Sequence, residues 1–274
     1  MKPTTIVDNL GVTRCLNTLL PDVHRGRPMY AAAASAIPII PRDQWQEVDH
    51  SEWCPDIMDQ GSTPQCGGFS TACAHTAAVA MSGRPLDAPL SPGWIYGYCK
   101  RPGGGILVRD ALTCLKERGC CSIETVGPFD ITPSGYSGAA RKEAEQYKLT
   151  EAYQVTGFDE LASCLQAGYL GEFGLLIGGN FHPNPETGVV PDQAGLTGGH
   201  AMYAVGLVNV DGKWYIKVRN SWSERWGVEG WCLMPESYFW YKRPGYNYVN
   251  LDAFAIAAVR QDTQDNDDLP PVED

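Results

Sequence analysis

Cys66 stands in "DQGSTPQCGGFSTACAHTAA" (Asp59–Ala78), after a turn-rich loop and before an Ala-rich apolar run. A thiol placed there opens a helix, whose unpaired N–H groups and dipole favour thiolate over thiol. The dipole supplies at most about 1–2 kcal/mol. At about 1.36 kcal/mol per pKa unit, that is too little to carry a thiol from about 8.5 to well below neutrality. An imidazolium partner is required, and the chain has five His. His75 would lie about 13 Å up the helix from Cys66 and on its far side. The same rise puts Cys73 about 10 Å away, too far for a disulfide with Cys66. His24 and His50 belong to no motif, and His182 in "NFHPNPETG" reads as an exposed loop residue.

His200 has the right context. It follows "GLTGG" and opens the apolar run "HAMYAVGLV", a loop-to-strand junction where Gly198 and Gly199 leave space around the ring. Twenty residues on comes "RNSWSERWG". Asp211-Gly212 lies between two strand-like runs, a strong hairpin signal. A hairpin returns the chain to its starting end, so Asn220 can lie beside His200 and accept its ring N–H. Trp222 can shield that bond from water. The set is a nucleophile, a base and an orienting group.

These residues need two kinds of element to position them. From about 41 to 150 the pattern is helical: "CGGFSTACAHTAAVAMSG" ends at Gly83, "LSPGWIYGYCK" offers Ser91 as cap and Pro92 at the first turn, and "VRDALTCLKERGC" ends at Gly119. From about 151 to 260, "LLIGGNF", "HAMYAVGLVNV", "KWYIKVRNSW" and "DAFAIAAV" read as strands, with one helix in "DELASCLQAG". Helices followed by antiparallel strands predict an α+β fold of two lobes with a groove between them. Cys73, Cys114 and Cys164 are expected to pack within helices, and Trp94, Trp214 and Trp231 within cores. Residues 1–40 are a leader whose "NLGVTRCLNTLL" could form a short helix, and 261–274 form an acidic tail with six acids and no base.

A net charge of −11 argues against nucleic acid as a partner. The start of the chain lacks a secretory signal, and "MYAAAASAIPII" is too short to span a bilayer and is broken by Pro38, so no membrane is expected. A cytoplasmic chain would keep its ten Cys mostly as free thiols. No CxxC occurs, and neither a metal nor a cofactor is expected.

The motifs together resemble the papain-like cysteine peptidases, of an intracellular bacterial or viral type. "QGSTPQCGGFS", "GGHAMYAVGL" and "NSWSERWGVEG" are similar to the family's Cys, His and Asn elements, in order, over about residues 40–260. The resemblance implies a papain-like fold, with a helical lobe carrying the Cys helix and an antiparallel, barrel-like β lobe carrying His and Asn. It implies Cys66 as nucleophile, His200 as base and acid, Asn220 as orienter, and Gln60 with the Cys66 N–H as oxyanion donors. Gly104 and Gly105 would bind substrate backbone, and Trp226 would floor the leaving-group side, with Trp222 and Gly199 in support. Thr63 stands where the family commonly has a disulfide Cys, Gly67 replaces a Trp, and Ser223 replaces a Gly. The expected function is a cysteine endopeptidase acting on proteins or peptides through a thioester, with possible processing of its own leader. The alternatives are an assembly component of a virus-like or other particle that retains the fold, with a partner docked on the leader or tail, or an amidase or cell-wall peptide hydrolase. The leader is either a short propeptide cut near "AAAAS" or a permanent docking arm.

Overall fold

The leader forms a β-hairpin rather than the short helix its sequence suggests. The structure, a computed structural model, describes residues 4–16, 33–84, 86–192, 198–240 and 250–257. The acidic tail, the Ala-rich stretch up to residue 32, His24 and the "GLT" before Gly198 lie outside the described residues. Strands β1 (Thr5–Val7) and β2 (Thr13–Cys15) pair antiparallel, with Ile6 opposite Arg14. The turn between them explains the missed assignment. Asp8 Oδ1 accepts the N–H groups of Leu10 and Val12, both at 2.9 Å, and Gly11 takes a φ of 75°. A carboxylate capping its own downstream amides stabilises a turn at the expense of helix.

After β3 (Val48–Asp49) the chain enters α1 (Cys66–Met81), which begins at the predicted thiol. Every residue of α1 from Cys66 to Val79 is buried, because the helix is packed on opposite sides by other helices and by the sheet. Small residues make that possible: a Cβ on Gly68 would stand 2.9 Å from the Pro92 carbonyl and 3.0 Å from Tyr96 Cβ. Helix α2 (Pro92–Cys99) is capped by Ser91, whose Oγ accepts the Trp94 N–H at 3.1 Å. Helix α3 (Val108–Arg118) ends at Gly119, where φ is 70°. The short α4 (Gly138–Ala144) completes this lobe.

The second lobe holds β4 (Glu151–Gln154), α5 (Phe158–Gln166), β5 (Leu170–Ile177), β6 (Gly198–Val210), β7 (Lys213–Arg219), β8 (Trp231–Pro235), α6 (Ser237–Trp240) and β9 (Asn250–Ala257). The strands form one antiparallel sheet in the order β4-β9-β5-β6-β7-β8, with β3 paired to β6. The β6–β7 turn places Asp211 and Gly212 at φ values of 51° and 80°, as a two-residue hairpin with right-handed strand twist requires. Alternation along β6 divides the core. Ala201, Tyr203 and Val205 join the cluster around Trp94 and Leu112, while Met202 and Ala204 join the one around Phe158 and Trp226. Val48 and Asp49, expected in the helical half, belong to this sheet, so the chain supplies a strand to the second lobe before it builds the first.

Candidate active site

Cys66 is the first residue of α1 and is fully buried. Its N-cap, Gln65, makes no side-chain cap bond, so no side chain of that residue competes for the first-turn amides. A Cβ on Gly67 would lie 2.5 Å from Ile106 Cγ1, so a larger residue there requires the Ile106 side chain to move. Helix α1 packs directly on β6, the strand that carries His200 as its third residue.

His200 Nε2 lies 2.8 Å from Asn220 Oδ1. The β6–β7 hairpin produces this contact: its register pairs Tyr203 with Arg219, which brings the residue after β7 back to the start of β6. Asn220 Oδ1 also accepts the Ser221 N–H at 2.8 Å, so the amide oxygen, an acceptor, faces the imidazole and assigns the proton to Nε2. Nδ1 then has no hydrogen-bond partner among the described residues and is the nitrogen left to take a proton. The Trp222 ring covers the imidazole at 4.6 Å, tilted by 32°.

Gln60 is also fully buried. Its Oε1 accepts the Ser221 hydroxyl at 2.6 Å and its Nε2 donates to Thr63 O at 3.0 Å. With the Gln60 N–H on Ser221 O at 2.9 Å, the loop before Cys66 is stapled to the turn that holds Asn220. Nothing in the "NSW" stretch itself announces this role of Ser221, because its partner Gln60 lies 161 residues away.

The other expected residues are placed as follows. Trp226 has no exposed surface; it stacks on Phe181 at 5.4 Å and meets Trp222 edge-on at 5.5 Å. It therefore backs Trp222, and Trp222 is the indole at His200. Gly104 and Gly105 have φ values of 89° and 80°, and their N–H groups bond to Arg101 O and the Tyr96 hydroxyl. Gly199 is a buried β6 residue opposite Leu176. His75 is held by Tyr147 O at 2.9 Å and His50 by Leu165 O at 2.9 Å. His182, expected to be exposed, is half-buried. All ten cysteines are free thiols. No group of three His, Cys, Asp or Glu among the described residues could hold a metal, and none of their helices is long and apolar enough to cross a membrane.

The leader hairpin is the unforeseen part of the site. Arg14 on β2 is fully buried. It donates to Asp8 Oδ2 at 2.7 Å, Asp59 Oδ1 at 2.5 Å, Gly61 O at 3.3 Å and Trp222 O at 3.0 Å. Its guanidinium lies 5.7 Å from the Trp222 ring centroid. Cys15, the next residue, is buried as well. Burial lowers the His200 pKa to about 4; the Asn220 bond opposes this, and the Arg14 charge reinforces it. With the hairpin docked, the imidazole is neutral at pH 7.

The papain family cysteine protease profile matches residues 43–242. Germination-specific cysteine protease 1 of Arabidopsis thaliana is 39% identical over 195 residues, covering 65% of this chain and 48% of that protein. Cysteine proteinase COT44 of Brassica napus is 28% identical over 195 residues, covering 65% and 55%. The chain thus spans about half the length of these curated relatives. The solved structure of xylellain, a cysteine protease from Xylella fastidiosa, superposes with a TM-score of 0.68 at 22% identity, covering 89% of this chain and 96% of that one. A profile matched over most of the chain, on a fold with two lobes meeting at α1 and β6, decides the assignment: this chain belongs to the papain family of cysteine proteases.

Proposed function

We propose that the chain is a cysteine endopeptidase kept latent by its own leader hairpin. The observation that carries the reading is the His200–Asn220 bond of 2.8 Å beneath Trp222, on the strand against which the Cys66 helix α1 packs. With the hairpin displaced, His200 Nδ1 takes the Cys66 proton and the resulting thiolate sits at the α1 N-terminus, where the first-turn amides favour the charge. The thiolate adds to a peptide carbonyl, whose oxygen becomes an oxyanion held by the Gln60 Nε2–H and the Cys66 N–H. His200 returns the proton to the departing amine, leaving a thioester. It then takes a proton from water as the water attacks that thioester, which frees the acid and restores the thiol. Asn220 keeps the ring oriented throughout.

The docked hairpin opposes the first step by placing the Arg14 cation where it disfavours imidazolium. The test is iodoacetamide labelling at pH 6 with the adduct mapped by mass spectrometry, on the full chain and on Arg14→Ala. Cys66 is expected to label at least ten-fold faster in Arg14→Ala, and His200→Ala in that background should abolish the gain. The same spectra report whether the leader has been removed. If Cys66 in Arg14→Ala reacts no faster than the other nine thiols, the enzyme reading falls and an assembly component remains.

A further inference from the structure

The partners of Arg14 fall into two sets. Asp8 belongs to the same hairpin and would leave with it. Asp59 Oδ1 (2.5 Å), Gly61 O (3.3 Å), Trp222 O (3.0 Å) and the Trp222 ring (5.7 Å) belong to the peptidase body and stay. They present one carboxylate and two carbonyls to one position, with an indole beside it. Three acceptors spread around a planar cation match the donor fork of a guanidinium, and the indole adds a cation–π contact. An ammonium, with three donors on one atom, cannot reach the same acceptors from one position.

The place of this group in the cleft follows from its neighbours. Trp222 stacks on His200, the proposed donor of a proton to the leaving amine. Gln60, the proposed oxyanion donor, sits in the chain between Asp59 and Gly61, and Asp59 pairs with Trp222 as an isolated bridge. A carbonyl held at Gln60 therefore has its leaving amine at His200, and the chain beyond that amine passes over Trp222. Resting on the peptidase reading above, we propose that Asp59, the Gly61 and Trp222 carbonyls and the Trp222 ring form a guanidinium subsite. The enzyme accordingly favours polypeptides with arginine just after the scissile bond, Asp59 is the specificity-determining residue, and Arg14 occupies the subsite in the latent form. The net charge of −11 also favours basic substrates at long range.

Two measurements on the full chain test this. Quenched peptides identical up to the scissile bond, and carrying Arg, Lys or Gln at the first or second position after it, are cleaved by Arg14→Ala. The Arg peptide is expected to exceed both others in kcat/KM by at least ten-fold at one of those positions. In Arg14→Ala with Asp59→Asn that ratio should fall below three-fold. Asn retains the oxygen that accepts the Gly61 N–H at 2.8 Å, so the loop is preserved, and removes only the negative charge that pairs with the guanidinium. The second measurement is calorimetric binding of an Arg-Ala-Gly amide, against Gln-Ala-Gly amide, to Arg14→Ala with Cys66→Ser. Arg is expected to bind at least ten-fold tighter, and the difference should vanish with Asp59→Asn. Arg14→Gln replaces Arg14→Ala if the latter fails to fold. Cleavage without Arg preference, or a preference that survives Asp59→Asn, overturns the subsite alone. Asp59-dependent Arg binding without cleavage upholds the subsite and overturns the peptidase reading. Neither cleavage nor selective binding overturns both.

Discussion

Ser221 holds a side chain that the proposed reaction uses, without entering that reaction itself. Its Oγ donates to Gln60 Oε1 at 2.6 Å, which turns the Gln60 amide so that Nε2 faces the Thr63 side of the loop before Cys66. A free Gln side chain would sample several rotamers, and the proposed oxyanion donor would be in place only part of the time. A single hydrogen bond of this kind contributes about 1 kcal/mol. Ser221→Ala is therefore expected to lower kcat roughly five- to ten-fold with little change in KM, measured in the Arg14→Ala background, and Ser221→Thr should restore most of it. Gln60→Ala, which removes the donor itself, should cost about 10²–10³ in kcat. The gap between the two variants separates positioning from donation.

At the scale of elements, Glu172 is the least expected feature. It lies on β5 between Tyr203 of β6 and Phe254 of β9, fully buried, and accepts the hydroxyls of Ser70 at 2.9 Å and Thr71 at 3.0 Å. Those hydroxyls belong to α1, one turn past Cys66, so the carboxyl fastens the Cys66 helix to the sheet. Arg219, opposite Tyr203 on β7, lies with its guanidinium 4.6 Å from the Trp231 ring and makes no ion pair with Glu172. Burial holds the Glu172 carboxyl well above its ordinary range, against the two hydroxyl bonds that pull it down. An acid raised in the folded state contributes stability that is complete below its unfolded pKa of about 4.3 and is lost as pH rises through the folded value. Glu172→Gln keeps the shape and stays neutral. Its gain in Tm over the parent is expected to be larger at pH 8 than at pH 5, and an equal shift at both would refute the assignment. Gly119 makes a second element-scale case. Its φ is 70°, and a Cβ there would stand 1.7 Å from the Ala144 carbonyl that ends α4. Gly119→Ala should destabilise by more than the roughly 1 kcal/mol of the backbone penalty alone, read from denaturant unfolding.

For the molecule as a whole, two buried imidazoles among the described residues lower its stability in acid, against the opposite contribution of Glu172. Burial lowers His75 to about 4, with the Tyr147 carbonyl bond opposing, and lowers His200 to about 4 as well. A histidine with a lowered folded pKa binds fewer protons than the unfolded chain between about 4 and 6.5. Its stabilising contribution is thus complete above pH 6.5 and disappears as pH falls through 4. The shift corresponds to about 3 kcal/mol for each group. Tm is expected to fall steadily from pH 6.5 to 4, and His75→Gln, which can still donate to Tyr147 O, should remove about half of that loss. The His200 share is tied in part to the leader through the Arg14 charge, so Arg14→Ala should reduce the remainder.

Sequence alone determined the elements that local rules govern. Helix α2 begins where Ser91 can cap it and Pro92 can start it, and α3 stops where Gly119 can take a positive φ. Asp211-Gly212 turns β6 into β7 because both residues tolerate φ above zero, and this hairpin is what made the proximity of His200 and Asn220 legible from their spacing. Short elements were not legible: β3, β4 and β8 take their meaning from partners elsewhere in the chain, and a strand of two to five residues carries little period of its own. Tertiary structure decided the leader. Locally it offers a turn at Asp8 and a weak helical pattern, but its place is set by Arg14, whose partners Asp59, Gly61 and Trp222 stand 45, 47 and 208 residues away. A buried guanidinium requires all its acceptors at once, and only the folded cleft brings a carboxylate, two carbonyls and an indole to one point.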